Sequence, residues 1–414
     1  VFGFINDHSL KYYDRNPFIE SAVSPYINFK NGIIKINDND FNFIKRTEKE
    51  ENYFKELHPV NCFNFNYNKT DIEKVNYNNI QEHAPAFYHY VKNIIPTRLQ
   101  GDNDEIIRTI KFVCQTILYV MNPIKKKPYF FAFYGDEHTA KSSLIKLIEA
   151  FISEDFIVAR SVSEMENNRF ATSDLWNAKI LVDEDMDEGT LLPAGFLKKN
   201  SASQTVTIER KHENPQKGVK ISVAMFFVSN FKLRATGLEG LKRRAIIIKF
   251  ENKFTDATAD PFLIDKIIGI KSHGIESGKF KNEKFDERSS IMSLVMNEWS
   301  SSKDRNYTIE KPKWIEESTS ELLSEMTTVG EFTNFAIDKD TNHIISNEVY
   351  TQSEWYDFYN NWCKDEGRRP KGKSKFIEEL KRDSSNYTFK RTSYKSGLFL
   401  NKSNEEINID EIPF

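Results

Sequence analysis

The sequence predicts an α/β protein: a parallel sheet with crossover helices at its centre, helical material before it and a small domain after it. Three observations carry that prediction. Between Pro128 and about Lys253, apolar strand-sized runs alternate with helical segments, the pattern of strand–helix–strand units. Upstream, apolar residues recur at helical spacing. The chain has 414 residues, more than one core usually accommodates, so two or three domains are expected.

Taken in order, residues 1–80 read as a β-rich, irregular segment. Within it Asn31-Gly32 separates the β-prone runs Tyr26-Ile27-Asn28-Phe29 and Ile33-Ile34-Lys35-Ile36, which makes a hairpin. Residues 81–125 read as a helical, collar-like subdomain, because Ala86, Phe87, Tyr90, Val91 and Ile94, then Ile106, Ile107, Ile110, Val113 and Ile117, share helix faces. Residues 126–253 form the expected α/β core. Residues 254–345 read mainly as helices, with Trp299, Trp314 and the 315–337 stretch. Residues 346–414 make a small domain of winged-helix size. It starts at Trp355-Tyr356-Asp357-Phe358-Tyr359 and ends in β-prone runs at Tyr387–Phe389 and Leu398–Leu400. Between 364 and 395 there are 11 Lys or Arg against 5 Asp or Glu, so this tail is either a nucleic-acid contact or a solvated face.

Composition removes several classes. A hydrophobic fraction of 39% with 29% charged residues excludes wholesale disorder. The best apolar run, around Ile221 to Val228, is strand-sized and far short of the ~18 residues that a membrane helix needs. No membrane partner is expected. A formal net charge of −3 excludes a wholly basic exterior, yet it leaves open a nucleic-acid grip confined to a channel. Cys62, Cys114 and Cys363 are far apart and lack metal or CxxC spacing, so reduced thiols in a cytoplasmic protein are expected. The start at Val1-Phe2-Gly3, without an initiator Met or a signal region, suggests a piece of a longer polypeptide.

The chemistry concentrates in the core. The run Tyr129 to Tyr134 is a buried-strand candidate, followed by Gly135-Asp136-Glu137-His138-Thr139-Ala140-Lys141-Ser142-Ser143 and an amphipathic helix. Strand, loop and helix in that order make a phosphate-binding loop. Its N–H groups would cradle phosphates, Lys141 would neutralise the β and γ oxygens, and Ser142 would ligate Mg²⁺. Ala140 stands where the pattern usually has Gly, which reduces the freedom to adopt positive φ.

About forty residues on, Lys179-Ile180-Leu181-Val182 leads into Asp183-Glu184-Asp185. There Asp183 would hold the Mg²⁺ and Glu184 would polarise the attacking water as general base. Next, Thr205 to Arg210 alternates, Asn214-Pro215 and Gly218 turn the chain, and a second β run follows, a hairpin with Arg210, Lys211 and His212 at its tip. Asn230, ending the run Met225 to Val228, could sense the γ-phosphate or orient water. Leu241-Lys242-Arg243-Arg244 then precedes the strand Ala245 to Phe250, either as a surface ion-pair site or as an arginine finger.

This order over about residues 127–250 resembles the superfamily 3 helicases of small DNA viruses, phages and plasmids. The hairpin run Ile208 to His212 and Phe227-Val228-Ser229-Asn230 is similar to the papillomavirus and polyomavirus members, and the flanking segments to phage and plasmid primase-helicases. The resemblance implies an AAA+-like P-loop ATPase that uses ATP and Mg²⁺. Its partners would be copies of itself in a hexameric ring, single-stranded DNA and forked duplex, with a primase or primase-polymerase domain on the same full-length chain, in the cytoplasm of a host cell. It further implies Arg210, Lys211 and His212 on DNA, Asn230 as sensor and Arg244 as finger. Lys127 and Lys198 would reach a neighbouring subunit's nucleotide, and Arg243 would be a further nucleotide contact. Ala140 departs from the pattern and puts tight nucleotide binding in doubt. Two rivals stay open: a non-catalytic nucleic-acid-binding ring scaffold with a degenerate P-loop, and a small-molecule P-loop kinase, in which the Lys-His hairpin and paired arginines have no task.

Overall fold

The computed structural model describes residues 26–29, 31–36, 41–45, 62–63, 66–67, 74–122, 127–152, 154–168, 171–176, 178–188, 190–192, 194–201, 205–209, 214–221, 223–235, 241–255, 257–269, 286–302, 304–325, 328–337, 350–382, 387–391 and 396–400. The chain divides into two compact units, Val1–Thr319 and Ser320–Phe414.

In the first unit β1 (Tyr26–Phe29) and β2 (Gly32–Ile36) form an antiparallel hairpin, with Phe29 opposite Gly32. With β3 (Phe41–Lys45) and β4 (Cys62–Phe63) they make a four-stranded sheet of order β3-β2-β1-β4. Helices α1 (Ile80–His83), α2 (Pro85–Ile94) and α3 (Asn103–Met121) follow. Pro85 opens α2, where a missing N–H costs nothing. The next free amides, on Ala86 and Phe87, donate at 3.0 and 2.8 Å to the two carboxylate oxygens of Glu287, a fully buried residue far along the chain. Asp102 caps α3 by accepting from the Asp104 and Glu105 amides.

The core sheet comprises β5 (Phe130–Tyr134), β6 (Ile157–Ala159), β7 (Ile180–Asp183), β11 (Ala224–Ser229) and β13 (Ala245–Lys249), in the order β13-β5-β11-β7-β6. All four pairings are parallel, as the alternation of strands and helices between 128 and 253 requires. Every residue of β5, β7 and β11 is buried, which explains their unbroken apolar runs. Phe131 and Phe226 stack across β5 and β11 with ring centres 4.7 Å apart.

Helix α4 (Lys141–Glu149) packs on β11, α5 (Val162–Asn167) and α6 (Ala194–Ser201) follow along the chain, α7 (Leu263–Ile268) packs against α2 and α4, and α8 (Arg288–Ser302) packs against α3. The short strands β8 (Leu191–Leu192) and β12 (Arg234–Ala235) pair in parallel, and β9 (Thr205–Ile208) pairs antiparallel with β10 (Gln216–Lys220). At the outer side of the edge strand β13, two hydroxyls from α9 (Lys313–Glu325) take the place of a sixth strand. Thr319 Oγ1 accepts from the Ile247 N–H at 3.0 Å, and Ser318 Oγ donates to the Ile247 carbonyl at 2.7 Å.

The second unit holds α10 (Thr328–Ile337), α11 (Gln352–Asp365), α12 (Lys373–Arg382) and a hairpin of β14 (Tyr387–Arg391) with β15 (Ser396–Leu400). The helical stretch expected at 315–337 is divided between α9 and α10. Thr351 and Glu354 form a reciprocal capping box that starts α11. An aromatic core fills the unit: Phe332 meets Trp355, Tyr359 and Phe376, and Tyr359 stacks on Phe376 at 4.4 Å. Among the described residues no helix is long and apolar enough to cross a membrane.

Candidate functional site

The loop between β5 and α4 is built on positive-φ backbone. Gly135 has φ 148°, and a Cβ there would stand 2.3 Å from the Phe250 carbonyl oxygen, so only glycine permits this approach. His138 and Ala140 also have positive φ, 59° and 68°. Ala140 adopts the left-handed conformation immediately before α4, the one that a glycine takes freely. The segment after β13 forms the loop's back wall. The Phe250 N–H donates to the Tyr134 carbonyl and the Phe254 N–H to the His138 carbonyl, each at 2.8 Å. Below, the Tyr90 hydroxyl of α2 donates to the Ala140 carbonyl at 3.1 Å.

Lys141 closes the loop from inside. Its ammonium donates to the carbonyls of Gly135 and Asp136 at 2.7 and 2.6 Å and to Thr139 Oγ1 at 3.2 Å. Burial pushes its pKa down, while the charges of Asp136 and Glu137 pull it back up. Ser142 is exposed on the first turn of α4, whose N–H groups lack intrahelical acceptors, the physical requirement for holding phosphate. Asp136, Glu137 and His138 are exposed, Thr139 is buried and Ser143 half-buried.

Strand register brings the acidic segment to the same edge. Phe227 of β11 is level with Ala132 on one side and with Asp183 on the other, so the loop after Tyr134, the end of β11 and the end of β7 all open at the carboxyl edge of the sheet. Ligands of open α/β sheets bind at such an edge. Two strand spacings, about 10 Å, separate β5 from β7. Asp183 is buried, and one carboxylate oxygen accepts from the Val162 N–H at 2.8 Å. Burial raises its pKa, the Val162 and Asp185 amides lower it, and the charges of Asp185 and Asp187 raise it again. Glu184 is exposed beside it. Ser229 Oγ donates to the Met186 carbonyl at 3.0 Å and accepts from the Phe231 N–H at 3.0 Å, and the Met186 N–H donates to the Val228 carbonyl. These bonds tie the acidic loop to the end of β11 and leave Asn230 exposed between them.

The remaining cations lie elsewhere. Arg244 directly precedes β13, which runs parallel to β5 with Ala245 opposite Phe130 and Lys249 opposite Tyr134. Arg244 is therefore at the amino edge of the sheet, about 16 Å of strand length from the loop that follows Tyr134. Its guanidinium donates to the Lys198 carbonyl at 3.1 Å, which brings α6 to that edge; Lys127 precedes β5 there, and Arg243 is exposed. Within one chain, then, Lys127, Lys198, Arg243 and Arg244 do not join Lys141 and Asp183. The hairpin carrying Arg210, Lys211 and His212 has its β9–β10 base in place, with Ile208 opposite Gln216, while these three residues lie outside the described residues.

Sequence reasoning missed three supporting groups. Tyr90 and the oxygen it meets are fifty positions apart, and no local pattern links them. Ser229 stood beside the chosen Asn230, yet its bond to Met186 depends on two strands being neighbours. Glu149, in the last turn of α4, has its pKa pushed up to about 7, first by burial and then by the charge of Glu184. A lone Glu on an amphipathic helix gives no such signal.

Comparison with known proteins adds little to this geometry. A family of unknown function, DUF5906, matches residues 133–244, from within β5 to Arg244. No curated protein matches. Among solved structures, the chain is similar to the apo structure of the NrS-1 C terminal region (305-718) at 11% identity and a TM-score of 0.40, covering 91% of this chain and 95% of that one. An A form apo structure of the NrS-1 C terminal region gives 11% identity and a TM-score of 0.38 over the same shares. Likenesses this shallow carry no functional argument.

Proposed function

We propose that this chain is the ATP-driven motor of a ring-forming DNA helicase of the superfamily 3 type. The observation that carries the reading is the meeting of the Lys141 loop and the Asp183 strand end at one sheet edge, with β11 and its Ser229-Asn230 end between them. An AAA+-like ATPase needs that arrangement: phosphates on the loop, acidic groups two strands away, and a polar sensor on the intervening strand.

In this reading residues Gly135 to Ser143 wrap the phosphates, and Lys141 exchanges its loop carbonyls for β and γ oxygens. Ser142 and Asp183 would hold Mg²⁺, which neutralises charge on the phosphate oxygens. The surroundings fit the ion, because Asp185 and Asp187 add to the negative field at Asp183. Glu184 orients and deprotonates the attacking water, and Asn230 senses the γ-phosphate. Arg244 is too far along the sheet to serve its own loop, which supports a finger offered to a neighbouring subunit, with Arg243, Lys127 and Lys198 on the same side. Six copies in a ring would pass single-stranded DNA from 3′ to 5′ over the Arg210, Lys211 and His212 hairpins and open forked duplex. A primase or primase-polymerase domain on the full-length polypeptide and the cytoplasm of a phage or plasmid host complete the proposal.

The test is ATP turnover with and without single-stranded DNA. Stimulation by DNA, abolished in a folded Lys141→Ala variant, is the expected result. DNA-indifferent turnover would point to a small-molecule kinase, and no turnover to a scaffold whose loop is compromised at Ala140.

A further inference from the structure

We propose that the second unit binds double-stranded DNA, presenting the end of α11, the 366–372 turn and the start of α12 to the major groove and its flanking phosphates. This inference does not depend on the motor reading. Its ground is a cationic surface on a rigid support.

Between 364 and 375 the chain carries Lys364, Arg368, Arg369, Lys371, Lys373 and Lys375 against Asp365 and Glu366. Part of this charge is spent inside the unit. Arg368 pairs with Glu331 and lies over the Trp362 ring at 5.7 Å, and Lys371 pairs with Glu379 at 2.7 Å. Those pairs fix the turn, as do the Tyr356 hydroxyl donating to the Lys371 carbonyl at 3.0 Å and the Lys371 N–H donating to the Tyr359 hydroxyl at 3.1 Å. Lys364, Arg369 and Lys373 are exposed, and no described carboxylate forms an ion pair with them. Among the described residues Lys373 meets a neutral partner, Ser353 Oγ, at 2.6 Å. Three unneutralised cations thus stand on backbone whose geometry is already set, so binding would cost little ordering.

The order of elements selects the partner. Helix, turn and helix followed by a hairpin is the arrangement in which the second helix enters a major groove by its amino-terminal residues, here Lys373, Ser374 and Lys375. Binders of single strands stack bases on exposed aromatic rings, whereas Tyr350 and the aromatic residues of α10, α11 and α12 are buried or half-buried. Duplex RNA has a major groove too deep and narrow for a helix. Duplex DNA is left as the polymer that matches both charge and shape.

The experiment uses the whole chain, without nucleotide, and measures fluorescence anisotropy of a short DNA duplex, its single strands and the matching RNA duplex across a salt series. The triple variant Lys364→Glu, Arg369→Glu and Lys373→Glu should weaken duplex DNA binding by on the order of tenfold or more and flatten the salt dependence by about two to three units. Its DNA-stimulated ATP turnover should stay at the parental level. If charge reversal disturbs folding, the alanine triple variant should flatten the slope in the same way. Unchanged duplex affinity and slope in a folded variant overturn the proposal, as does a loss of single-strand or duplex RNA binding in the variant as large as its loss of duplex DNA binding. A chain without turnover whose duplex binding still collapses in the variant refutes the motor and upholds this surface.

Discussion

At position 140 an alanine holds φ 68° and ψ 22°, a conformation that its Cβ opposes by roughly 1–2 kcal/mol. Ala140→Gly removes that strain and restores some unfolded-state freedom, for a net gain of about 1 kcal/mol. The expected outcome is a higher melting temperature and ATP binding tightened a few-fold, read by calorimetry; a less stable or weaker-binding glycine variant would refute the strain argument. The loop from Gly135 to Ser142 was legible in the sequence because its meaning is local, a strand, a turn and a helix in a row. Its supports were not. Phe250 forbids a side chain at Gly135 and Tyr90 holds Ala140 from below, and these pairings exist only after folding.

At the scale of elements, strands with long apolar runs announced themselves, β5 and β11 above all. The three residues of β6 are too few to show a pattern, and they join the sheet because β7 offers a free edge. Helix α2 shows the same limit: its apolar spacing was readable, but its capping by Glu287 was not. The β9–β10 hairpin carries an irregular register between Gln216 and Val219. On the proposed function its tip grips DNA and takes no part in phosphate transfer, because a phosphodiester backbone needs charge and donors. Replacing Lys211 and His212 by Ala should leave basal ATP turnover within a few-fold of the parent while DNA stimulation and unwinding collapse. A double variant that opens a forked duplex at the parental rate would reduce the hairpin to a structural turn.

For the whole molecule, no run of residues states that β11 lies between β5 and β7, so the site's layout emerges only from the sheet. The same layout sets Arg244 and Asp183 at opposite sheet edges, and two defective chains should therefore repair each other. Arg244→Ala and Glu184→Ala, each inactive alone, should recover part of their ATP turnover when mixed, since one subunit can lend Arg244 to a neighbour with an intact carboxylate. Mixed assemblies without recovery would count against the finger in trans. The hydroxyls of Ser318 and Thr319 on β13 have a further consequence, for solubility. They occupy the N–H and C=O of Ile247, in the middle of the run Ile246-Ile247-Ile248, which would otherwise template a strand from another molecule. Thr319→Val keeps the shape but strips the Ile247 N–H of its acceptor, at a cost of about 1–3 kcal/mol. Such a variant should melt earlier and scatter light increasingly with concentration on mild heating, and if it stays as soluble as the parent, the two hydroxyls protect nothing beyond the packing of α9.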